Sequence, residues 1–369
     1  MISKLIIADS EKDSNMFYAT EILIPDDFVY LEKDGRKTIY IDDLEYNRAK
    51  KEARVDNVVN YSEYAKRINR DTFGSILINI LKDNKIKKVQ VPGNFKMRYT
   101  KILMDNKIKI EIVEPFFKKR VFKNEDEIEK ITKVQRINEK ALKKVIEIIK
   151  KSKIRKDKKL SYQNKILTSE FIKEVLDMEF LKNGCVSENN IVSCGKDGAD
   201  PHSFGNGPLL ADQLIVIDIF PRSKTTKYFA DMTRTIVKGK ASPEMKKIYN
   251  AVLGAQKLAL GEIKAGVRAD SIHKKVQNYF ENKRFKTGEK DGKIQGFFHG
   301  TGHGVGLDIH ELPNISLGNK KPLKAGNVVT VEPGLYYPEI GGVRIEDLVV
   351  VTKTGCKNLT KFPKFLEIK

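Results

Sequence analysis

The sequence predicts an α+β domain over residues 124–369, preceded by a smaller α/β domain over residues 1–123. Three observations carry this. The first 120 residues alternate short apolar runs with helical spacings. A long amphipathic segment begins at Asn124. Beyond it, long helical patterns are interleaved with strands that hold acidic residues inside apolar runs.

In the first part, "KLIIA", "DFVYLE", "KTIYI", "KKVQVPG" and "IKIEIVEP" read as strands, rich in Ile and Val. Between them, "DLEYNRAKKEA" and "FGSILINILKDN" have helical spacing. This part holds no histidine, so it reads as a support or recognition module. Next, Ile128, Ile131, Val134, Ile137, Ala141, Leu142, Val145 and Ile149 recur at three- and four-residue steps. Asn124 or Asp126 would cap that helix. Acids fill its first turn and lysines its last, as the helix dipole favours. The domain boundary is placed just before it, near Lys123. "YQNKILTSEFIKEVLDMEFLKNG" reads as a helix ending at Gly184. "PEMKKIYNAVLGAQKLALGEIKAG" is a helix opened by Ser242-Pro243, and "ADSIHKKVQNYFENKRF" is a third. The strands "LIVIDIFP", "KYFADMTRTIVKG", "NVVTVEPGLYY" and "GGVRIEDLVVVT" make a largely antiparallel sheet.

Composition narrows the function classes. Of 369 residues 40% are hydrophobic, enough for a core, yet no apolar run nears the roughly 20 residues of a membrane span. The N-terminus "MISKLIIADSEKD" turns charged too early for a secretory signal, which places the chain in the cytoplasm. Cys185, Cys194 and Cys356 form no CxxC pair and read as reduced thiols. The net charge of +20 is mostly lysine spread along the chain, with a cluster at "KKSKIRKDKK" that no aromatic residue interrupts. That pattern reads as a solvated basic surface and argues against specific nucleic-acid binding.

Chemistry concentrates in the second part. "GFFHGTGHGVGLDIHELP" holds His299, His303 and His310, three of only five histidines. Asp218 alternates with Ile217 and Ile219, so it faces the other side of its strand. A hairpin with the next strand would set Asp231 opposite it. Glu332 closes one apolar strand and Glu346 opens another, with Arg344 two residues earlier on the same face. Singly, each acid has a bland explanation: a strand end, a turn, or an ion pair with Arg344. Together they place two Asp, two Glu and one His on or beside apolar strands, where an unneutralised carboxylate is costly. Hard oxygen donors with one imidazole suit two divalent ions of the manganese, cobalt, iron or zinc type, a known hydrolytic device. The glycines let backbone pass close to the metals and the substrate. His273, in "ADSIHKKVQ", reads as a helix-surface residue.

The set "VIDIFP…YFADMTRT", "HGTGHGVGLDIHE", "VEPGLYY" and "GGVRIED" resembles the M24 metallopeptidases of the pita-bread (creatinase/aminopeptidase) fold, and within them the Xaa-Pro peptidases. The resemblance covers the whole chain, including a creatinase-like N-terminal domain. It implies Asp218, Asp231, His303, Glu332 and Glu346 as metal ligands, with Asp231 and Glu346 bridging, and water activated between the ions. It implies His202 at the substrate border, aiding proton transfer, and His310 as a hydrogen-bond donor to the substrate carbonyl and oxyanion. His299 would line the pocket after the scissile bond, Arg344 would brace the site, and Glu332 would also shuttle a proton. Short proline-containing peptides are the implied partners, and a homodimer the implied assembly.

Eleven residues past His303, some dipeptide-cleaving relatives place an arginine for the substrate carboxylate; this chain has Asn314, which tilts the expectation toward longer Xaa-Pro peptides. The expected activity is therefore that of an aminopeptidase P, with a prolidase (Xaa-Pro dipeptidase) as the alternative. Creatinase and methionine aminopeptidase fit less well, given the intact ligand set and the N-terminal domain. From a different class, a non-catalytic peptide- or RNA-binding module of this fold would lose ligands that this chain keeps.

Overall fold

The computed structural model describes residues 3–68 and 72–369, which fall into two units, within 1–120 and 121–369. In the first unit, strands β1 (Ser3–Ala8), β2 (Phe28–Lys33), β3 (Arg36–Ile41), β4 (Asn57–Asn60), β5 (Lys88–Val91) and β6 (Lys109–Ile112) form one sheet. Their order is β4-β3-β2-β1-β5-β6, and only β2 runs against its neighbours. Alternation along β1 feeds two cores. Leu5 and Ile7 pack with Leu77, Ile80 and Val89, whereas Ile6 and Ala8 pack with Met16, Phe28 and Ile39. The short strand "NVVN" escaped the sequence reading because pairing with β3, not its own pattern, holds it.

The second unit opens with the helix Glu125–Lys151. Asn124 is its cap. The Asn124 Oδ1 accepts the Glu127 N–H, and the Glu127 carboxylate accepts the Asn124 N–H. Val134, Ala141, Leu142 and Val145 on this helix pack against Ile172, Leu176 and Phe180 of the helix Ser169–Lys182 and against Ile215, Ile217 and Ile219 of the strand Leu214–Ile219. Asp218 thus faces away from that core. The helices Pro243–Glu262 and Ala269–Asn282 build a second core with Val329, Val331, Val343 and Val349. Two sheets serve these cores. One joins Ile191–Cys194, Leu214–Ile219, Met232–Lys238 and Glu367–Ile368. The other joins Glu311–Ile315, Gly302–Gly304, Val328–Val331, Asp347–Val351 and Cys356–Asn358.

One helix is shorter than its sequence pattern. Leu160–Tyr162 and Lys165–Ile166 form a hairpin, turned by Gln163 and Asn164 at φ of 50° and 63°. The helix begins only at Ser169, where Thr168 Oγ1 accepts the Phe171 N–H. Among the described residues, no helix is long and apolar enough to cross a membrane.

Candidate metal centre

The two aspartates stand on one face but not opposite each other. The strand Leu214–Ile219 pairs antiparallel with Met232–Lys238 so that Asp218 faces Thr233. Asp231 precedes that strand, two residues from Thr233, and residues two apart share a face. Thr233 therefore stands where the hairpin argument put Asp231, and its side chain ties two residues of the cluster together. Its hydroxyl donates to Glu346 Oε2 at 2.8 Å and accepts from Arg344 Nε at 3.2 Å.

Both glutamates sit where strands break. Glu332 follows Val328–Val331, and Pro333, which has no N–H for the ladder, interrupts the run before Gly334–Tyr337. Glu346 lies between Gly341–Arg344 and Asp347–Val351, and its N–H bonds Thr233 O at 3.1 Å. His303 sits on Gly302–Gly304. A Cβ at Gly302 would collide with the Thr330 backbone, and one at Gly304 with the Leu312 and Glu311 carbonyls. Gly302 and Gly304 are needed because neighbouring strands approach closely.

One ligand atom each from Asp231, His303 and Glu346 lie within 4.8 Å of one another. His303 Nε2 is 3.6 Å from Asp231 Oδ2 and 3.2 Å from Glu332 Oε1. Its Nδ1 faces the Gly304 carbonyl at 3.1 Å, so Nδ1 carries the proton. Burial pushes the His303 pKa down, so the ring is neutral and a bare Nε2 lone pair faces two carboxylates. That arrangement is repulsive unless a metal cation or a carboxyl proton stands between them. Asp218 adds a second sign. Its Oδ2 accepts from Arg344 Nη2 at 2.6 Å, while its buried Oδ1 has no partner among the described residues. The donor set fits a divalent cation.

Burial first, then Asp218 and Glu332, raises the Asp231 pKa; burial, then Asp231, raises that of Glu346. Burial pushes Glu332 up to about 7. Raised carboxyl pKa values mean that the metal-free fold loses stability as pH climbs from the ordinary carboxyl range through about 7. A bound cation cancels that loss. The rise in melting temperature on adding manganese should therefore grow steadily between roughly pH 5.5 and 7.5. A pH-independent rise would contradict this charge arrangement.

Arg344, 4% exposed, pairs with Asp218 rather than with Glu346. It also donates to Tyr336 Oη at 2.8 Å and to the Pro201 carbonyl at 3.3 Å. Tyr336 Oη in turn lies 2.9 Å from His299 Nε2, while His299 Nδ1 donates to the Gly300 carbonyl at 2.7 Å. Burial holds His299 neutral, with its pKa lowered to about 3. Both nitrogens of His299 are thus engaged. Tyr336 was not singled out in the sequence; its only signal is "EPGLYY". His310 is exposed at the surface, with its ring edge-on to that of His303 at 4.4 Å; the partial loss of water on that ring face, then His303, lowers its pKa. His202 lies in the exposed turn that Arg344 holds by the Pro201 carbonyl. His273 is not a surface residue. It is 6% exposed, its Nδ1 lies 3.0 Å from Thr301 Oγ1, and its ring tilts against Phe297 at 5.1 Å. Its helix turns that face onto the glycine-rich loop, a contact that local spacing does not encode.

The sequence profile of Metallopeptidase family M24 matches residues 129–353. The Xaa-Pro dipeptidase of Pyrococcus furiosus is 33% identical over 343 residues, covering 90% of this chain and 87% of that protein. The solved Xaa-Pro dipeptidase from Bacillus anthracis superposes with a TM-score of 0.85 at 25% identity, covering 100% of this chain and 95% of the other. The X-Pro aminopeptidase from Thermotoga maritima does so with a TM-score of 0.81 at 26% identity, covering 100% and 98%. The fold is accordingly that of the pita-bread prolidases and aminopeptidases. With the family match spanning most of the catalytic unit and the relatives spanning nearly the whole chain, this protein belongs to metallopeptidase family M24.

Proposed function

We propose that the chain is a metal-dependent Xaa-Pro dipeptidase, cleaving the bond before proline in dipeptides. The observation that carries the metal chemistry is His303, whose bare Nε2 faces Asp231 and Glu332 beside buried Glu346. The choice of dipeptides is supported by the two Xaa-Pro dipeptidases named above, from Pyrococcus furiosus and Bacillus anthracis, and replaces the tilt toward longer peptides that Asn314 prompted. Asn314 is exposed on the strand Glu311–Ile315.

Asp218, Asp231, His303, Glu332 and Glu346 would hold two divalent ions of the manganese, cobalt, zinc or iron type. When bound, the ions supply Lewis acidity and a lowered water pKa. Glu332, at the edge of the cluster, would take a proton and return it to the departing proline nitrogen. Neutral His310 would donate an N–H to the scissile carbonyl as negative charge gathers on its oxygen. Arg344 braces Asp218 and Tyr336, and Tyr336 fixes the His299 ring as an apolar wall. His202 would border the substrate at the rim.

The second reading, an Xaa-Pro aminopeptidase, is favoured by Asn314 and by the Thermotoga maritima likeness. The two part on substrate length. Ala-Pro should be cleaved with a larger kcat/KM than Ala-Pro-Gly. The opposite order would make the aminopeptidase reading the right one.

A further inference from the structure

The carboxylate cluster repels itself, so something must fix the strands that carry it. Gln256 stands in the helix Pro243–Glu262, fully buried. Its Nε2 donates to the carbonyls of Val331 and Ile345, each at 3.0 Å. These residues immediately precede Glu332 and Glu346. Both partners are carbonyls, so the amide nitrogen must face them, which leaves Oε1 buried and unpartnered. An apolar side chain of that shape would avoid the cost of the orphaned oxygen. It would also give up both hydrogen bonds to the backbone beside Glu332 and Glu346, so what the amide supplies is a tie between those two strands.

The other core repeats the device. Gln135 and Asn138, both fully buried, sit one turn apart on the helix Glu125–Lys151. Gln135 Oε1 accepts the Asp231 N–H at 3.3 Å, and its Nε2 donates to Thr360 Oγ1 at 3.1 Å. Asn138 Nδ2 donates at 2.9 Å to the carbonyl of Ile219, the residue after Asp218, and its Oδ1 is likewise unpartnered. Each buried amide grips backbone at or next to a carboxylate.

We propose that Gln256 is a positioning residue that sets the spacing of Glu332 and Glu346, and that Gln135 and Asn138 do the same for Asp231 and Asp218. This rests on the two-metal reading of the cluster. Two backbone carbonyls tied to one amide nitrogen cannot drift apart, so the glutamates that follow them keep their separation whether or not cations are present. Ordinary packing residues would move stability alone; these residues move metal affinity.

The test is manganese binding to the metal-free full chain by calorimetry, with melting temperature and Ala-Pro kinetics read in parallel. Gln256→Met keeps the volume and removes both donors. It should weaken the looser manganese site about 10–100-fold and lower kcat while KM stays near wild type. Leu176→Ala, in the core of the helix Ser169–Lys182, serves as the stability control. It should lower the melting temperature at least as much and leave manganese affinity within about twofold of wild type. Should Gln256→Met fail to fold, Asn138→Leu puts the same question to the Asp218 side, with the same loss of affinity expected. Wild-type manganese affinity in the folded variant would overturn the inference, as would an affinity loss that simply follows melting temperature in variant and control alike. If the wild-type chain itself binds no manganese, the two-metal reading falls, and that failure is visible before any variant is made.

Discussion

Asp231→Asn should abolish hydrolysis of Ala-Pro, by on the order of 10³-fold or more, while leaving the fold intact. Asp231 is 4% exposed and closes the triad with His303 and Glu346, so losing its charge removes the central anion of the cluster. The same substitution should not weaken the metal-free protein. Burial, Asp218 and Glu332 all disfavour the charged form of Asp231, and a neutral amide relieves that penalty. The expected pair of results is lost turnover with an unchanged or higher melting temperature in chelator. Wild-type turnover would remove Asp231 from the site. A large drop in melting temperature would mean that its carboxylate supports the fold directly.

Arg344→Met should act in the opposite way, costing stability as well as rate. The guanidinium serves Asp218, Tyr336, Thr233 and the Pro201 carbonyl from a position 4% exposed. Removing it strands Asp218 with neither oxygen partnered, and breaking a buried pair in this way costs about 3–5 kcal/mol. It also frees Tyr336 and with it the His299 wall. Arg344→Lys should recover little, since one ammonium cannot reach carboxylate and phenol in the planar fork geometry. Denaturant unfolding of metal-free protein measures the first effect and Ala-Pro kinetics the second. Wild-type stability in Arg344→Met would show that Asp218 draws its compensation from elsewhere.

The parts of the site that were legible in the sequence share one property: they break a local rule. Asp218 interrupts an apolar alternation, Glu332 and Glu346 end or open apolar strands, and His303 stands among glycines, so each is visible within a few residues of chain. The parts that were not legible obey their local rules. Gln256 and His273 look like polar positions on amphipathic helices, and only the packing of those helices onto distant strands turns them inward. Tyr336 reads as a β-former in a β-strand; its hydroxyl gains meaning from Arg344 and His299, which come from other segments. Residues 162–168 kept an apolar spacing that suits a helix, while the left-handed pair Gln163-Asn164 turned them into a hairpin with Leu160–Tyr162. Register, too, lies beyond local pattern: nothing near Asp231 in the chain states that Thr233 will face Asp218.

The claim on which the rest stands is that this cluster holds metal and that metal makes the enzyme. Stripped protein should be titrated with manganese, and separately with cobalt, while Ala-Pro hydrolysis and bound ion are followed together. Two ions per chain, hydrolysis that rises with their binding, and its loss on adding a chelator are the predicted result. Undiminished hydrolysis by the stripped protein in chelator, or two bound ions with no cleavage of Ala-Pro or Ala-Pro-Gly, would contradict it.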